Sequence, residues 1–245
     1  MWTQGKVVKR TDWTADLFSL FIEADIGDFT AGQFVKLGLD IKDKRIGRAY
    51  SLVNHPDEDL LEVLLIRVDD GLLSPALHRL QPGDPIHMST KASGFMTLDY
   101  VPPSRDLWLM ATGTAIGPFI SMLRTHAVWQ QFEHVVLVYG VRYTQELAYN
   151  GLLTELTQQH RSQFSFLSSV TRESSADALT CRIPEALETG LLEQQAQREI
   201  CPQHSHVMLC GNPAMISETQ ALLEQRGLRK NLKRKPGHIS MERYW

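Results

Sequence analysis

The stretch Leu107-Trp108-Leu109-Met110-Ala111-Thr112-Gly113-Thr114-Ala115-Ile116-Gly117-Pro118 decides the fold. Leu107–Ala111 is a short apolar run that enters a glycine-bearing turn. Helical spacing then takes over from Gly117 to Gln130, through Phe119, Ile120, Leu123 and Ala127. An apolar run of strand length feeding a helix is the pattern of a buried strand in a parallel sheet. The rhythm repeats downstream. His134–Tyr139, Phe164–Val170 and His206–Cys210 read as strands. Helices are expected near Leu152–His160, over Pro184–Gln197 and over Pro213–Arg226, the last with Met215, Ile216, Thr219, Leu222 and Leu223 on one face. Alternating strands and helices imply a parallel sheet covered on both sides.

Upstream the pattern is different. Leu17–Ile22, Gln33–Leu39, Arg48–Asn54, Leu60–Val68 and Pro85–Ser89 read as strands, separated by turns rich in Gly, Asp, Asn and Pro. One short helix fits Ser74–Leu80, with Ser74 as N-cap and Pro75 at its first position. Many short strands at close spacing suggest a barrel or sandwich. Val101-Pro102-Pro103-Ser104 reads as a linker, giving one domain over 1–100 and an α/β domain over 105–245.

Composition bounds the class. Of 245 residues, 43% are hydrophobic and 22% charged, which is ordinary for a folded globular chain. The net charge of −3 argues against a protein that coats nucleic acid. No uncharged apolar run reaches the roughly 18 residues of a membrane span. Cys181, Cys201 and Cys210 are odd in number and lack Cys-x-x-Cys spacing. That disfavours a disulfide framework or zinc site and favours the cytoplasm. No histidine pair has metal-ligand spacing, so no metal is assigned.

Three motifs bear on chemistry. The turn around Gly113 and Gly117 opens a helix, so it is either a cradle of backbone N–H groups for phosphate or a plain tight turn. Arg48-Ala49-Tyr50-Ser51 sets a cation, an aromatic ring and a hydroxyl on one strand. They suit a planar cofactor with a phosphate, or an ordinary half-exposed strand. Cys210-Gly211-Asn212-Pro213 ends the last strand and caps the last helix. Carboxyl ends of parallel strands face the ligand crevice, although a free Cys is also a common small core residue.

Taken in order, Arg-Ala-Tyr-Ser, Ala-Thr-Gly-Thr-Ala-Ile-Gly-Pro, Val-Tyr-Gly-Val-Arg-Tyr, Leu-Cys-Gly-Asn-Pro and a terminal Tyr-Trp make a more specific signal. The chain from about Lys6 to Trp245 resembles the bacterial ferredoxin/flavodoxin–NADP reductases, and most closely the enterobacterial type. The resemblance implies an N-terminal antiparallel FAD-binding β-barrel and a C-terminal Rossmann-like α/β domain for NADP(H). It implies a cytoplasmic, monomeric enzyme that exchanges electrons with ferredoxin or flavodoxin through hydride transfer at flavin N5. Carried onto this sequence, Arg48 pairs with the FAD pyrophosphate, Tyr50 lies on one flavin face and Ser51 approaches N5, with Ala49 between them. Leu65, Ile66 and Arg67 match the strand beside the flavin. Leu72, Leu73 and Ser74 match the segment at the pyrophosphate, and Thr114 matches a further FAD contact. Tyr244 covers the other flavin face and Trp245 the adenine. Ser51, Cys210, Glu242 and Tyr244 are the expected catalytic positions.

Gly113, Gly117, Arg142, Arg172 and Arg182 are the expected NADP positions. Guanidinium forks suit a 2′-phosphate of about two charges, and the family has NADP-binding arginines at matching places. Arg226–Lys235 carries six positive charges and no negative one. It reads either as a solvated loop or as a steering patch for an acidic carrier protein. Two other activities fit the sequence less well. One is a flavin or oxygenase reductase of the same superfamily, and the other a non-catalytic NADP(H)-binding redox sensor.

Overall fold

A computed structural model describes residues 1–244. The chain forms two compact units. Unit 1 comprises residues 1–98 and 117–125, and unit 2 comprises 99–116 and the chain from 126 onward.

Unit 1 holds six strands: β1 (Trp2–Asp12), β2 (Leu17–Glu23), β3 (Phe34–Ile41), β4 (Lys44–Ser51), β5 (Leu61–Ile66) and β6 (Pro85–Ser89). They lie antiparallel in the order β4-β3-β6-β1-β2-β5. A bridge between Leu52 and Val63 joins the two ends, so the sheet closes on itself. Alternation fills the interior: Phe18, Leu20 and Ile22 point inward from β2 and meet Val35, Leu37 and Ile86. Strand β1 was not read from sequence. It is largely polar, and Val7 is its one fully buried large residue. Trp2 at its start explains two glycines. A Cβ at Gly38 or Gly47 would come within 2.9 or 2.6 Å of the Trp2 ring. The β3–β4 turn has two residues, and Lys42 and Asp43 both adopt positive φ (50° and 59°) as a type I′ hairpin requires.

The short helix α1 is Ser74–His78, and its N-cap position is Leu73, without a side-chain cap. This corrects the expected role of Ser74. Its hydroxyl instead accepts from Val68 N–H (3.1 Å) and closes the preceding loop.

Unit 2 holds a parallel sheet of β7 (Asp106–Thr112), β8 (His134–Val141), β9 (Phe164–Val170), β10 (Ser205–Gly211) and β11 (Ile239–Arg243), in the order β11-β10-β7-β8-β9. Connections leave β7 toward β8 on one side and return to β10 on the other. The carboxyl ends of β7 and β10 therefore flank the topological switch point, where open α/β sheets bind ligands. Trp108, Met110, Val136, Val138, Leu209 and Ile216 are buried in its core.

Two expected helices are broken. The first divides into α2 (Gly117–Arg124) and α3 (His126–Gln131) at Thr125, whose hydroxyl donates back to Met122 C=O (2.7 Å). Seven residues of α2 are buried but only Val128 of α3, so the two pieces serve different surroundings. α2 packs within unit 1: Ser121 Oγ donates to Asn54 C=O (2.7 Å), and Arg124 lies 3.2 Å from the buried Glu62 carboxylate. After α4 (Asn150–Gln159), the second break falls between α5 (Ile183–Glu188) and α6 (Leu191–Ala196). Gly190 at φ 75° ends the run there. Helix α7 (Pro213–Gln225) is capped by Asn212, whose side chain accepts from Ala214 and Met215 N–H. No helix of the described residues is long and apolar enough to cross a membrane.

His206 on β10 is fully buried with Nε2 2.9 Å from Ser240 Oγ. Burial, with His238 nearby, pushes its titration down from 6.5 to about 4. Between those values the unfolded chain binds the extra proton, so stability present above pH 6.5 falls as pH drops toward 4. The largest possible loss is about 3 kcal/mol. Acid thermal-unfolding curves of His206→Gln are expected to fall less steeply over this range than those of the parent, and parallel curves would remove His206 from that role.

Candidate functional site

On unit 1 the candidate residues gather where β4 and β5 part. The Leu52–Val63 bridge pairs the two strands at one place only. Continuing that antiparallel register sets Tyr50 across from Leu65 and leaves backbone edges open beyond it. Ser51 is buried, Tyr50 is half-buried, and Arg48 and Ala49 are exposed. Burial, only partly offset by Arg48, pushes the Tyr50 phenol up to about 12, so it is neutral over the physiological range. Arg48 donates to Gly47 C=O (2.9 Å) and makes no ion pair among the described residues.

Ile66 and Leu72 are exposed apolar side chains on the same stretch, whereas Leu65 and Leu73 are buried. Arg67 is held by Asp16 (2.7 Å) and Asp69 (3.2 Å). An uncompensated cation, an uncapped helix start, exposed apolar groups and open strand edges form the donor set a flat ring system with a diphosphate requires. The residues of unit 1 fit FAD.

On unit 2 the centre is the meeting of β7 and β10. Gly211 has φ 133°, and a Cβ there would stand 2.2 Å from Thr112 Oγ1. The close approach lets Asn212 N–H donate to Thr112 Oγ1 (2.9 Å). Gly113 also has positive φ (58°), and Thr114 is buried in the 3₁₀ turn that follows. Gly117, by contrast, begins α2 and packs within unit 1, where a Cβ would lie 3.2 Å from Val53.

Arg142 and Arg172 are brought together at the carboxyl ends of β8 and β9, where Arg172 N–H donates to Arg142 C=O (2.9 Å). Both are exposed and make no ion pair among the described residues. Arg182 stands before α5 and pairs with Glu218 (3.1 Å) on α7. Three acids were not singled out from sequence. Glu146 accepts from Arg142 N–H (2.9 Å), Glu173 accepts from Thr144 N–H, and Glu218 holds Arg182. An acid three or four residues after a strand-end arginine was the available signal for Glu146.

The chain end returns beside β10, with Glu242 opposite Cys210 and Tyr244 N–H donating to Gly211 C=O (3.1 Å). Cys210 is fully buried, and burial with the nearby Glu242 raises its thiol well above the ordinary range. Burial pushes the Glu242 carboxyl up to about 7. Glu242 can thus hold or release a proton near neutrality. Trp245, expected at the adenine, lies outside the described residues. A glycine-floored switch point with two uncompensated arginines beside it fits a phosphorylated dinucleotide.

The comparisons agree with this division. Residues 6–95 match the oxidoreductase FAD-binding domain and residues 109–221 the oxidoreductase NAD-binding domain. Flavodoxin/ferredoxin–NADP reductase of Escherichia coli (strain K12) is 46% identical over 245 residues, covering 100% of this chain and 99% of the relative. A ferredoxin NADP⁺ reductase from Neisseria gonorrhoeae, crystallised with bound FAD and NADP, superposes with a TM-score of 0.94 at 32% identity, covering 99% of this chain and 98% of that one. The FAD/NAD-binding domain of a Vibrio cholerae nitric oxide dioxygenase, at 20% identity and TM-score 0.81, shares the fold over 99% of this chain and 98% of that one.

The half-buried Glu242 carboxyl is expected to titrate with a midpoint near 7 when followed by isotope-edited infrared spectroscopy, and the band is expected to be absent in Glu242→Gln. A carboxylate already ionised at pH 5 would contradict this placement. With the match running end to end through both halves, the chain belongs to the flavodoxin/ferredoxin–NADP reductases.

Proposed function

We propose that this chain is an FAD-dependent oxidoreductase that passes electrons between NADP(H) and a flavodoxin or ferredoxin. The end-to-end match to reductases of that name, through both cofactor domains, carries the reading. When bound, FAD supplies the chemistry that links two-electron hydride exchange to one-electron carriers. The protein supplies binding, orientation and protons.

Arg48 and the start of α1, with Leu72, Leu73 and Ser74, hold the pyrophosphate of FAD. Tyr50, Ser51, Leu65 and Ile66 line the flavin, and Arg67 is fixed beside it by its two aspartates. Gly113 and the neighbouring turn receive the NADP(H) phosphates. By the family pattern Thr114 would be a further FAD contact and Gly117 a further NADP(H) contact. Arg142 and Arg172 take the 2′-phosphate, and Arg182 joins them by exchanging Glu218 for the ligand. By the family pattern Tyr244 would cover the flavin, Glu242 would hold or release a proton near the nicotinamide, and Cys210, opposite Glu242, would remain a neutral thiol.

The basic segment serves the carrier. Arg226 is committed to Glu193 (2.7 Å) and Leu187 C=O, but Arg229, Lys230, Lys233, Arg234 and Lys235 are exposed. Leu232 and Lys235 close a tight turn, with Leu232 exposed among these cations. Such a tip suits an acidic protein with an apolar contact. The free cysteines fit a cytoplasmic setting, and we read the protein as a monomer.

The direct test is spectroscopic. Purified protein loaded with FAD is expected to be yellow, to be bleached by NADPH without oxygen, and to reduce flavodoxin or ferredoxin. Failure to retain FAD on reconstitution would overturn the reading. In the same assay, Arg172→Ala with Arg182→Ala is expected to raise KM for NADPH at least about tenfold, since charge-assisted bonds contribute about 1.5–3 kcal/mol each. The KM for NADH is expected to stay nearly constant, and equal effects on both cofactors would remove these arginines from 2′-phosphate binding.

A further inference from the structure

At the amino-terminal edge of the unit 2 sheet, opposite the strand ends that carry Thr112 and Gly211, lies a second cluster. Asp106 opens β7 and is fully buried. Its two oxygens accept from Arg105 Nε (2.9 Å) and Nη2 (2.7 Å), and Oδ2 also lies 2.9 Å from His204 Nδ1. Across the same ring, His204 Nε2 is 3.0 Å from Cys201 Sγ.

The backbone fixes this line of groups. Arg105 and Asp106 N–H both donate to His204 C=O (3.0 and 2.9 Å), and Ser205 N–H donates to Cys201 C=O (3.0 Å). Cys201 N–H donates to Ser205 Oγ (3.1 Å). His204 Nδ1 stands 2.9 Å from Asp106 Oδ2, 3.2 Å from Arg105 Nη2 and 3.4 Å from Ser205 Oγ, and in the tautomer that turns an Nδ1 proton toward Asp106 the imidazole presents Nε2 as the acceptor for the thiol proton. The donors stand on either side of one ring and not around a point, and no group of the described residues is placed to hold a metal ion. Arg105, bound by Asp106, is exposed and its Nη2 stands 3.2 Å from His204 Nδ1, so a cation lies beside the imidazole that touches Cys201. Cys201 itself is half-buried. A thiol, an acceptor that removes its proton and a buried carboxylate that orients the acceptor are the parts of an activated nucleophile.

We propose that Cys201 is a modification site that forms a mixed disulfide with an anionic low-molecular-mass disulfide, with His204 carrying the proton and Asp106 positioning His204. His204 Nε2 takes the Sγ proton, and Sγ attacks one sulfur of the disulfide. The new Cys201–S–S–R bond forms as the R–S–S–R bond breaks. The departing thiolate takes the proton from His204 and leaves as R–SH. One disulfide is consumed and one is made, so the balance needs no further oxidant. The site is independent of the nucleotide-binding residues at the other edge of the sheet.

Cys181 is the internal control. It too is half-buried, but burial and Glu185 raise its thiol. FAD-loaded full-length protein would be incubated with oxidised glutathione and the adducts located by mass spectrometry over time. Cys201 is expected to react at least about tenfold faster than Cys181, and His204→Gln to slow Cys201 by a similar factor without changing Cys181. Excess dithiothreitol is expected to reverse the adduct. A Cys201 rate no greater than that of Cys181, or one unchanged in folded His204→Gln, would overturn the proposal. Labelling of the fully buried Cys210 would reveal unfolding in the variant, in which case the parent's Cys201-to-Cys181 ratio decides alone.

Discussion

Gly211 is the point on which unit 2 depends. Its backbone lies so close to Thr112 that no side chain fits between them. From that contact follow the Asn212-to-Thr112 hydrogen bond, the Asn212 cap on α7 and the Tyr244 bond to Gly211 C=O. Strands β7 and β10, helix α7 and the chain end therefore meet at one residue. Glycine is used here because φ 133° is strained for any other residue and because a Cβ would collide with Thr112 Oγ1 and press on the Thr112 backbone.

Unit 1 is organised by a different constraint. Its sheet closes through a single bridge, and beyond that bridge β4 and β5 separate with their edges unpaired. Helix α2 follows the glycine turn in sequence but belongs to this unit, fastened by Ser121 to Asn54 and by Arg124 to the buried Glu62. Asn54 in turn accepts from Glu62 N–H (2.9 Å), so the attachment is a connected network. Removing one partner of a buried ion pair usually costs about 3–5 kcal/mol, because the other charge is stranded. The residues that hold α2 are thus structural, whereas Arg48, Arg142 and Arg172 are exposed and make no ion pair among the described residues.

Sequence periodicity revealed the elements whose burial is regular. Pro85–Ser89 and Phe164–Val170 match the observed strands end to end. The missed strands, β1 and β11, lack that regularity. β1 alternates around polar residues, and β11 ends in Glu242-Arg243 and is specified by its pairing with β10. The two broken helices were read as continuous because apolar spacing persists across Thr125 and Gly190. It does not show that successive pieces meet different neighbours. In the site, the strand-end glycines and arginines were legible because each stands at a change of pattern. Their partners were not, since Glu218 reaches Arg182 from 36 positions away and Glu173 reaches Thr144 from 29. Ser74 was misread because its preference for capping was satisfied by the Val68 loop.

The most direct measurement is calorimetric titration of NADP⁺ into FAD-loaded Gly211→Ala. If the Gly211–Thr112 contact shapes the nucleotide site, affinity falls at least about tenfold, or about 1.4 kcal/mol, while FAD content stays that of the parent. A folded variant that binds NADP⁺ as tightly as the parent would contradict the central role given to that contact.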